Sequence, residues 1–418
     1  MKPTFNAPKG APDLVPPRSL LFEQVISRTV AICKLAAYQR IETPAFEYTE
    51  LFERGLDDAS DIVTKEMYTF EDKGGRSLTL RPDMTAPVIR AILENRLDKS
   101  GLPVKLFYVA SVFRHEKPQA GRQRQFTQVG IEAVGSASPS IDAEAMELAQ
   151  RMIVAAGIGS STLLLNSVGH PGCRAEYLPK LVAFLEAHRE ELCEDCQRKI
   201  TKNPLRTFDC KVPSDRSLME EAPLISDHLC VACKQHHEDV KKLLGDLGVG
   251  FTDAPRLVRG LDYYTRTAFE FVSEGLGAQN SIGGGGRYDG LSESLGGDPL
   301  PGIGFGLGID RMVLALESKG VSVEPKIDVY FIALSPQARP VAMKLLSRIR
   351  SLGISADLDH MDRGAKPQFK AADRANARWA VILGDKELSE STVTLRNMSS
   401  GEEQSIPQHA IELHVGDE

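Results

Sequence analysis

The segment Arg259-Gly-Leu-Asp-Tyr-Tyr-Thr-Arg-Thr-Ala-Phe-Glu-Phe puts an arginine, an aspartate and two tyrosines ahead of a stretch that alternates like a strand from Thr267 to Phe271. Further along, Gly283-Gly-Gly-Gly-Arg-Tyr-Asp-Gly reads as a flexible backbone run ending in charge, where a ligand can lie against bare main chain. Together they suggest a polar ligand on a strand platform, with Arg259 facing an anion. The alternative is a tyrosine-rich strand edge followed by a loose surface loop.

Two further segments concentrate chemistry. Phe113-Arg-His-Glu-Lys-Pro-Gln-Ala-Gly-Arg-Gln-Arg-Gln-Phe-Thr-Gln predicts a hairpin whose tip carries Arg114, Lys117, Arg122 and Arg124. Phe126, Gln128 and Glu132 then follow on one strand face. Arginine forks match phosphate oxygens, and a phenyl ring can stack on a base. In Gly302-Ile-Gly-Phe-Gly-Leu-Gly, glycines alternate with Ile303, Phe305 and Leu307, so one strand face is bare backbone against which adenine could lie. Asp310-Arg311 opens the helix beyond it.

The seven cysteines cannot all pair within one chain. Cys193-x-x-Cys196 and Cys230-x-x-Cys233, with Cys210 between them, suit one tetrahedral zinc site made of two thiolate pairs. Reduced, buried thiols in a helical subdomain are the alternative. Between residues 363 and 378, Arg363, Lys366, Lys370, Arg374 and Arg378 face a single acid, Asp373, on a predicted helix that is either a solvated face or a basic binding surface.

The elements that must position these groups follow from periodicity. Phe22, Val25, Ile26, Thr29, Val30 and Cys33 give a helix over Leu20–Ala37 one apolar face. Strands are predicted at Ser77–Leu80, Lys105–Phe113 and Thr127–Val134, and a helix at Ile141–Ala156. From about Gly169 to Gly248 the pattern is helical and cysteine-bearing, after which strand-like sequence resumes at Arg256. Beyond Pro325, strands at Ile327–Leu334, Ile354–Leu358 and Trp379–Leu383 alternate with helices at Ala338–Leu352 and Lys366–Ala377, which implies a small α/β domain with a largely parallel sheet.

A chain of 418 residues, 42% hydrophobic and 26% charged, is a globular protein of two or three domains. No apolar run is long enough to span a membrane, and Met1 to Gly10 lacks the apolar core of a signal peptide, so a cytoplasmic location is expected. The net charge of −7 argues against broad charge-driven nucleic-acid binding but leaves room for a local basic face. Neither a phosphate-binding P-loop nor a dinucleotide fingerprint is present.

Thr79-Leu-Arg-Pro-Asp-Met-Thr, the Phe-Arg-His-Glu hairpin and Gly-Leu-Gly-Ile-Asp-Arg resemble the motifs of class II aminoacyl-tRNA synthetases. Lys9-Gly-Ala-Pro-Asp-Leu, Arg259-Gly-Leu-Asp-Tyr-Tyr and Gly-Gly-Arg287-Tyr-Asp-Gly are similar to signatures of the histidyl-tRNA synthetase family. The resemblance covers nearly the whole chain. It implies an α+β catalytic domain with an antiparallel sheet in two parts (1–168 and 251–323), a mainly helical insertion (169–250) and a C-terminal α/β anticodon-binding domain (325–418).

The same resemblance implies a histidine–tRNA ligase: a homodimer formed through the N-terminal helix and the Ile41-Glu-Thr-Pro region. It would take L-histidine, ATP with Mg²⁺, and tRNA(His). Asp83, Thr85 and Gln128 would hold the α-ammonium of histidine; Glu132 and Tyr264 would read the imidazole, with Tyr263 lining the same pocket. Arg114 and Arg259 would grip the α-phosphate from opposite sides, Phe126 and Arg311 would sandwich adenine, and Glu116 would lie near the ATP end. Asp83 stands where many bacterial members carry glutamate, which keeps the charge with a shorter reach. Zinc is not a defining feature of the family. A histidine-binding regulatory paralogue is the competing reading; such proteins usually lack the anticodon-binding domain and have a degraded Arg259 motif, whereas both are intact here.

Overall fold

A computed structural model of the chain describes residues 5–55, 62–118, 121–259, 263–273 and 280–416. Gly260 to Asp262, the middle of the Arg259 motif, lies outside them, as do Gln119 and Ala120 of the predicted hairpin. The chain forms two compact units, Met1–Ser322 and Val323–Glu418.

The strands of the first unit are β1 (Gln39–Arg40), β2 (Phe46–Tyr48), β3 (Tyr68–Glu71), β4 (Ser77–Leu80), β5 (Val104–Phe113), β6 (Gln125–Val134), β7 (Thr162–Ser167), β8 (Thr252–Asp253), β9 (Thr265–Val272), β10 (Ser281–Arg287) and β11 (Gly302–Gly308). An eight-stranded sheet runs in the order β1-β5-β6-β11-β10-β9-β7-β8, and β2, β4 and β3 form a small separate sheet. The pairings from β5 through to β7 are antiparallel, while β1 and β8 join the two edges in parallel. An antiparallel sheet can bury one face and present the other. Ile303, Phe305 and Leu307 of β11 are buried and alternate with its glycines.

The run Gly283–Gly286 is not a loop. It forms the inner strand β10, paired on one side with β9 and on the other with β11. Its lack of side chains serves close packing: a Cβ at Gly283 or Gly285 would meet the carbonyl of Gly306 or Gly304 at 2.3 or 2.0 Å. Regular strand resumes at Thr265, later than the predicted Arg256. The described residues Arg256 to Arg259 form no strand, and the Asn166 side-chain amide donates to the carbonyls of Pro255 and Leu257 at 3.2 and 2.9 Å.

Helix Arg18–Leu35 buries Leu21, Phe22, Val25, Thr29 and Cys33, a one-sided stripe. It packs on helices Pro139–Ala156 and Ile309–Ser318, which in turn cover β11 and β6. Helix Pro139–Ala156 begins with Ser138 as a side-chain cap, has Pro139 in its first turn, and stops at Gly157 (φ 93°). The insertion has its own core of Tyr177, Leu181, Leu185, Leu192, Ile200 and Met219 beneath short helices.

One buried carboxylate links these parts. Asp142 is fully buried and accepts from Arg287 of β10, from the Thr267 hydroxyl of β9 at 2.6 Å and from His236 Nε2 of the insertion at 2.9 Å. Burial alone would raise its pKa; the His236 hydrogen bond and the Arg287 charge outweigh burial and hold it below the usual carboxylate range. Arg287, also fully buried, is completed by Asp289 at 3.0 Å and the Ser136 and Ser138 carbonyls.

The second unit is a five-stranded sheet in the order β13-β12-β14-β15-β16, formed by β12 (Ile327–Ala333), β13 (Ala356–Leu358), β14 (Ala377–Leu383), β15 (Thr392–Asn397) and β16 (Glu403–Pro407). β12 pairs in parallel with β13 and β14, and two antiparallel strands follow. Val329 and Phe331 point into one core and Tyr330 and Ile332 into the other, the pattern of a strand covered on both faces. The basic helix spans Ala365–Arg374 and stops sooner than predicted, because Asn376 turns left-handed (φ 47°) and Ala377 already belongs to β14. Arg378 therefore lies on a strand, over the Trp379 ring at 5.9 Å, and not on the helix.

Removing the Asp142 charge leaves the buried Arg287 with the part-exposed Asp289 as its remaining counter-charge. Asp142→Asn is expected to destabilise the first unit by about 3–5 kcal/mol, read as a fall in its urea midpoint; an unchanged midpoint contradicts the role of this pair.

Candidate active site

A cavity of about 580 Å³ opens over β6, β11, β10 and β9. Its inner end is built by the turn before helix Thr85–Glu94. Arg81 anchors that turn, donating to the carbonyls of Ser111 at 2.8 Å, Thr43 at 2.7 Å and Pro44 at 3.1 Å. Asp83 and Thr85 are thereby set at the helix start, where Asp83 accepts the Thr85 amide at 3.0 Å. Burial raises the Asp83 pKa, against the charge of Arg114 and the amides of Thr85, Ala86 and Met84.

Glu132, fully buried, accepts the Thr85 hydroxyl at 2.8 Å and the Tyr288 hydroxyl. Burial pushes its pKa up to about 8. Sequence reasoning misses Tyr288, whose one signal is an aromatic hydroxyl directly after Arg287. Gln128 and Tyr264 line the cavity proper. Tyr263 lies behind them: its hydroxyl reaches Asp83 at 3.5 Å while the residue lines an adjacent cavity with His170, Arg174 and Arg266.

The glycine face of β11 lines the cavity at Gly304, Gly306 and Gly308, with side chains of the site lying close against it. A Cβ on Gly304 would fall 1.8 Å from the Glu132 carboxylate, and one on Gly302 would fall 2.2 Å from the Tyr288 ring. Gln128 stands 3.3 Å from such an atom on Gly306, and Arg311 stands 3.3 Å from one on Gly308. The glycines make room for the site's own side chains.

The outer end carries the arginines. Arg114 donates to the Pro82 carbonyl at 2.9 Å, and its guanidinium sits 5.6 Å from the Phe126 ring. Arg259 is paired with Glu270 and lies along Gly284, where a Cβ would approach its guanidinium carbon to 3.1 Å. Burial would lower the Arg259 pKa, but Glu270, Tyr264 and Asp209 together more than offset this and raise it. Arg311 donates to the Gly121 carbonyl at 3.1 Å, and Glu116 pairs with Arg122 at 2.8 Å. Glu270 and Arg206 are further residues of the site that no motif marks. Glu270 is a lone acid within the apolar Ala268–Phe271 run, and Arg206 reaches from the insertion to the Arg259 carbonyl at 3.1 Å.

The cysteine pairs do not meet as expected. Cys193 and Cys196 gather with Cys210 and Asp215, whereas Cys230 and Cys233 gather with His170 and Cys173. The two CxxC turns start different helices, Glu194–Lys202 and Val231–Asp246, so one four-cysteine site is replaced by two separate clusters.

An antiparallel sheet with an arginine hairpin, a glycine strand running into an arginine-bearing helix and a carboxylate pocket beside them is the catalytic domain of a class II aminoacyl-tRNA synthetase. Comparison with known proteins narrows the class. The histidyl-tRNA synthetase family model matches residues 10–312 and an anticodon-binding domain model matches residues 328–412. The histidine–tRNA ligase of Halothermothrix orenii is 46% identical over 403 residues, covering 96% of each chain. The apo histidyl-tRNA synthetase of S. aureus superposes with a TM-score of 0.83 at 36% identity, over 99% of this chain and 100% of that one. This chain belongs to the histidyl-tRNA synthetase family. A Bacillus halodurans structure described as an ATP phosphoribosyltransferase regulatory subunit/histidyl-tRNA synthetase has a TM-score of 0.67 at 23% identity, over 91% of this chain and 99% of that one, a likeness of fold alone. No helix among the described residues is long and apolar enough to cross a membrane.

Glu132 gives the site a pH signature. Its pKa rises from 4.5 to about 8 on folding, so between those values the folded chain holds a proton the unfolded chain lacks. Stability from this group is present below pH 4.5 and is lost as pH rises toward 8. The stability of Glu132→Gln relative to the native protein is expected to climb across that window, at up to about 1.4 kcal/mol per pH unit, measured by urea denaturation at each pH; a pH-independent difference would show that Glu132 is ionised throughout.

Proposed function

We propose that the cavity activates L-histidine with ATP and transfers it to the 3′ end of tRNA(His), the reaction of a histidine–tRNA ligase. The observation that carries this reading is that one cavity joins the buried Asp83 carboxyl, with Glu132 behind it, to Arg114, Arg259 and Arg311. At the inner end, Asp83, Thr85 and Gln128 bind the α-ammonium. Glu132 and Tyr264 address the two imidazole nitrogens, with Tyr263 supporting Asp83 from behind. An amino acid lacking those nitrogens leaves buried polar groups unpaired, which is how such a pocket rejects it.

No base is needed for the first step, because the histidine carboxylate is itself the nucleophile. It attacks the α-phosphorus in line and pyrophosphate leaves. The protein contributes position and charge: Arg114 and Arg259 hold the α-phosphate from opposite sides, while Phe126 and Arg311 enclose the adenine. Arg259 exchanges part of its pairing with Glu270 for phosphate. Glu116 and Glu270, two of the carboxylates that line the cavity, are oxygen donors of the kind a hard divalent cation takes. Glu116 and Glu270 would hold Mg²⁺ there, and the ion would supply further charge neutralisation.

In the second unit, Lys366, Lys370 and Arg374 border a concave surface on the basic helix, which supports docking of tRNA phosphates near the anticodon. Presence of this unit and of Arg114, Arg259 and Arg311 weighs against a purely regulatory histidine-binding protein.

Histidine-dependent ATP–pyrophosphate exchange is expected in the native protein with Mg²⁺, and Arg259→Ala is expected to reduce it roughly 10²–10³-fold without unfolding. Absence of exchange in folded native protein would sink the ligase reading and favour the regulatory one. For tRNA binding, Lys370→Ala should weaken affinity and flatten the dependence of log K on log salt by about 0.7–0.9 for each phosphate it no longer neutralises; an unaltered slope places the phosphates elsewhere.

A further inference from the structure

Every cysteine except Cys33 belongs to one of two clusters in the helical insertion. Within each cluster the four ligand atoms lie within 4.8 Å of one another, and all the cysteines are free. In the first cluster, His170 Nδ1 stands 2.9 Å from Cys173 Sγ, 3.5 Å from Cys233 Sγ and 3.9 Å from Cys230 Sγ. In the second, Cys193 Sγ is 3.9 Å from Cys210 Sγ, which is 3.3 Å from the Asp215 carboxylate. A tetrahedral zinc with Zn–S bonds of about 2.3 Å has sulfur–sulfur edges of about 3.8 Å, and edges to nitrogen or oxygen of about 3.5 Å. The clusters are therefore the size of a zinc coordination shell and far too open for disulfides, whose sulfurs lie about 2.05 Å apart.

Backbone amides face three of these sulfurs. Cys193 and Cys230 each cap a helix start, and their sulfurs face the amides of Cys196 and Cys233 at 3.5 and 3.4 Å. His170 precedes a third helix, Pro171–Ala187, and Cys173 accepts the Cys230 amide at 3.2 Å. Amide donors and positive helix ends stabilise negative sulfur. Asp215 adds an independent argument. It is 1% exposed, and its hydrogen bonds come from the Cys193 amide, the Cys210 thiol and the Ser214 hydroxyl. A cation ligated by the same groups would neutralise this buried carboxylate together with the sulfurs.

We infer that the insertion holds two structural zinc ions: one on His170, Cys173, Cys230 and Cys233, the other on Cys193, Cys196, Cys210 and Asp215. Each ion displaces the thiol protons of its three cysteines and takes four protein ligands, leaving no position for substrate. The first clamps the start of helix Pro171–Ala187 to that of Val231–Asp246 and closes the neck of the insertion. The second fixes the segment Pro204–Asp209, from which Arg206 supports the Arg259 backbone and Asp209 faces the proposed ATP end of the cavity. Zinc thus sets the wall that meets the nucleotide without touching the reaction.

Elemental analysis of native protein purified without chelators is expected to give two zinc ions per chain. Cys210→Ser and Cys233→Ser should each retain one, and Cys33→Ser should retain both. Should either cluster variant fail to fold, the native protein loaded with Co²⁺ replaces it: two equivalents are expected to saturate the thiolate charge-transfer and tetrahedral ligand-field bands. Zero or one metal ion per folded native chain, or loss of both ions in each single variant, overturns the two-site assignment.

Discussion

Asp142 is the point on which the catalytic unit turns. Its carboxylate joins the inner strands β9 and β10, the helix beneath the sheet and the last helix of the insertion, all of it buried from solvent. Losing Asp142 or Arg287 alone is more disruptive than replacing the whole network with apolar groups, because it strips the other buried charge of its main counter-charge. The geometry follows from this constraint. Arg287 ends β10 and Tyr288 follows at once, so fixing Arg287 also fixes the hydroxyl that Glu132 accepts. A purely structural ion pair thereby sets a residue of the proposed histidine pocket, one position along the chain.

Space is the second determinant. The strands beneath the cavity carry glycines where the lining side chains must lie: Gly304 under Glu132, Gly306 under Gln128, Gly284 under Arg259 and Gly286 under Tyr264. Large polar groups can then be laid flat on the sheet and held by neighbours on every side. Arginines and tyrosines that lie outside the strands acquire the strands' rigidity, which electrostatic stabilisation of a phosphoryl transfer requires.

Much of this is legible in the sequence, and the misses share a cause. Period-two and helical patterns locate β5, β6, β11 and the helix Pro139–Ala156 to within a few residues, because burial of alternate or one-sided apolar groups leaves a local trace. The cavity residues Arg114, Phe126, Gln128, Tyr264 and Arg311 sit in motifs written over short spans. What the sequence hides is pairing across distance. Gly283–Gly286 looks like a loop because glycine carries no sign of which neighbours press upon it. Glu270 and Arg206 are tied to the site through Arg259, and no spacing rule links them to it. A shared spacing makes the cysteine pairs look like partners, yet Asp215 and His170, which separate them, look ordinary in the sequence.

The central neighbours of the sheet, β6 and β11, are drawn from residues 125–134 and 302–308, with the whole insertion and several more strands between them. Contacts of such long sequence separation form slowly and late. On a ribosome, therefore, the platform has no middle until almost the entire first unit has emerged. The insertion, with its own core, can fold in the interval and shorten the effective loop that must be closed. Substrate recognition is consequently an all-or-nothing property of this chain: the last strand to arrive is the one on which both ends of the cavity rest.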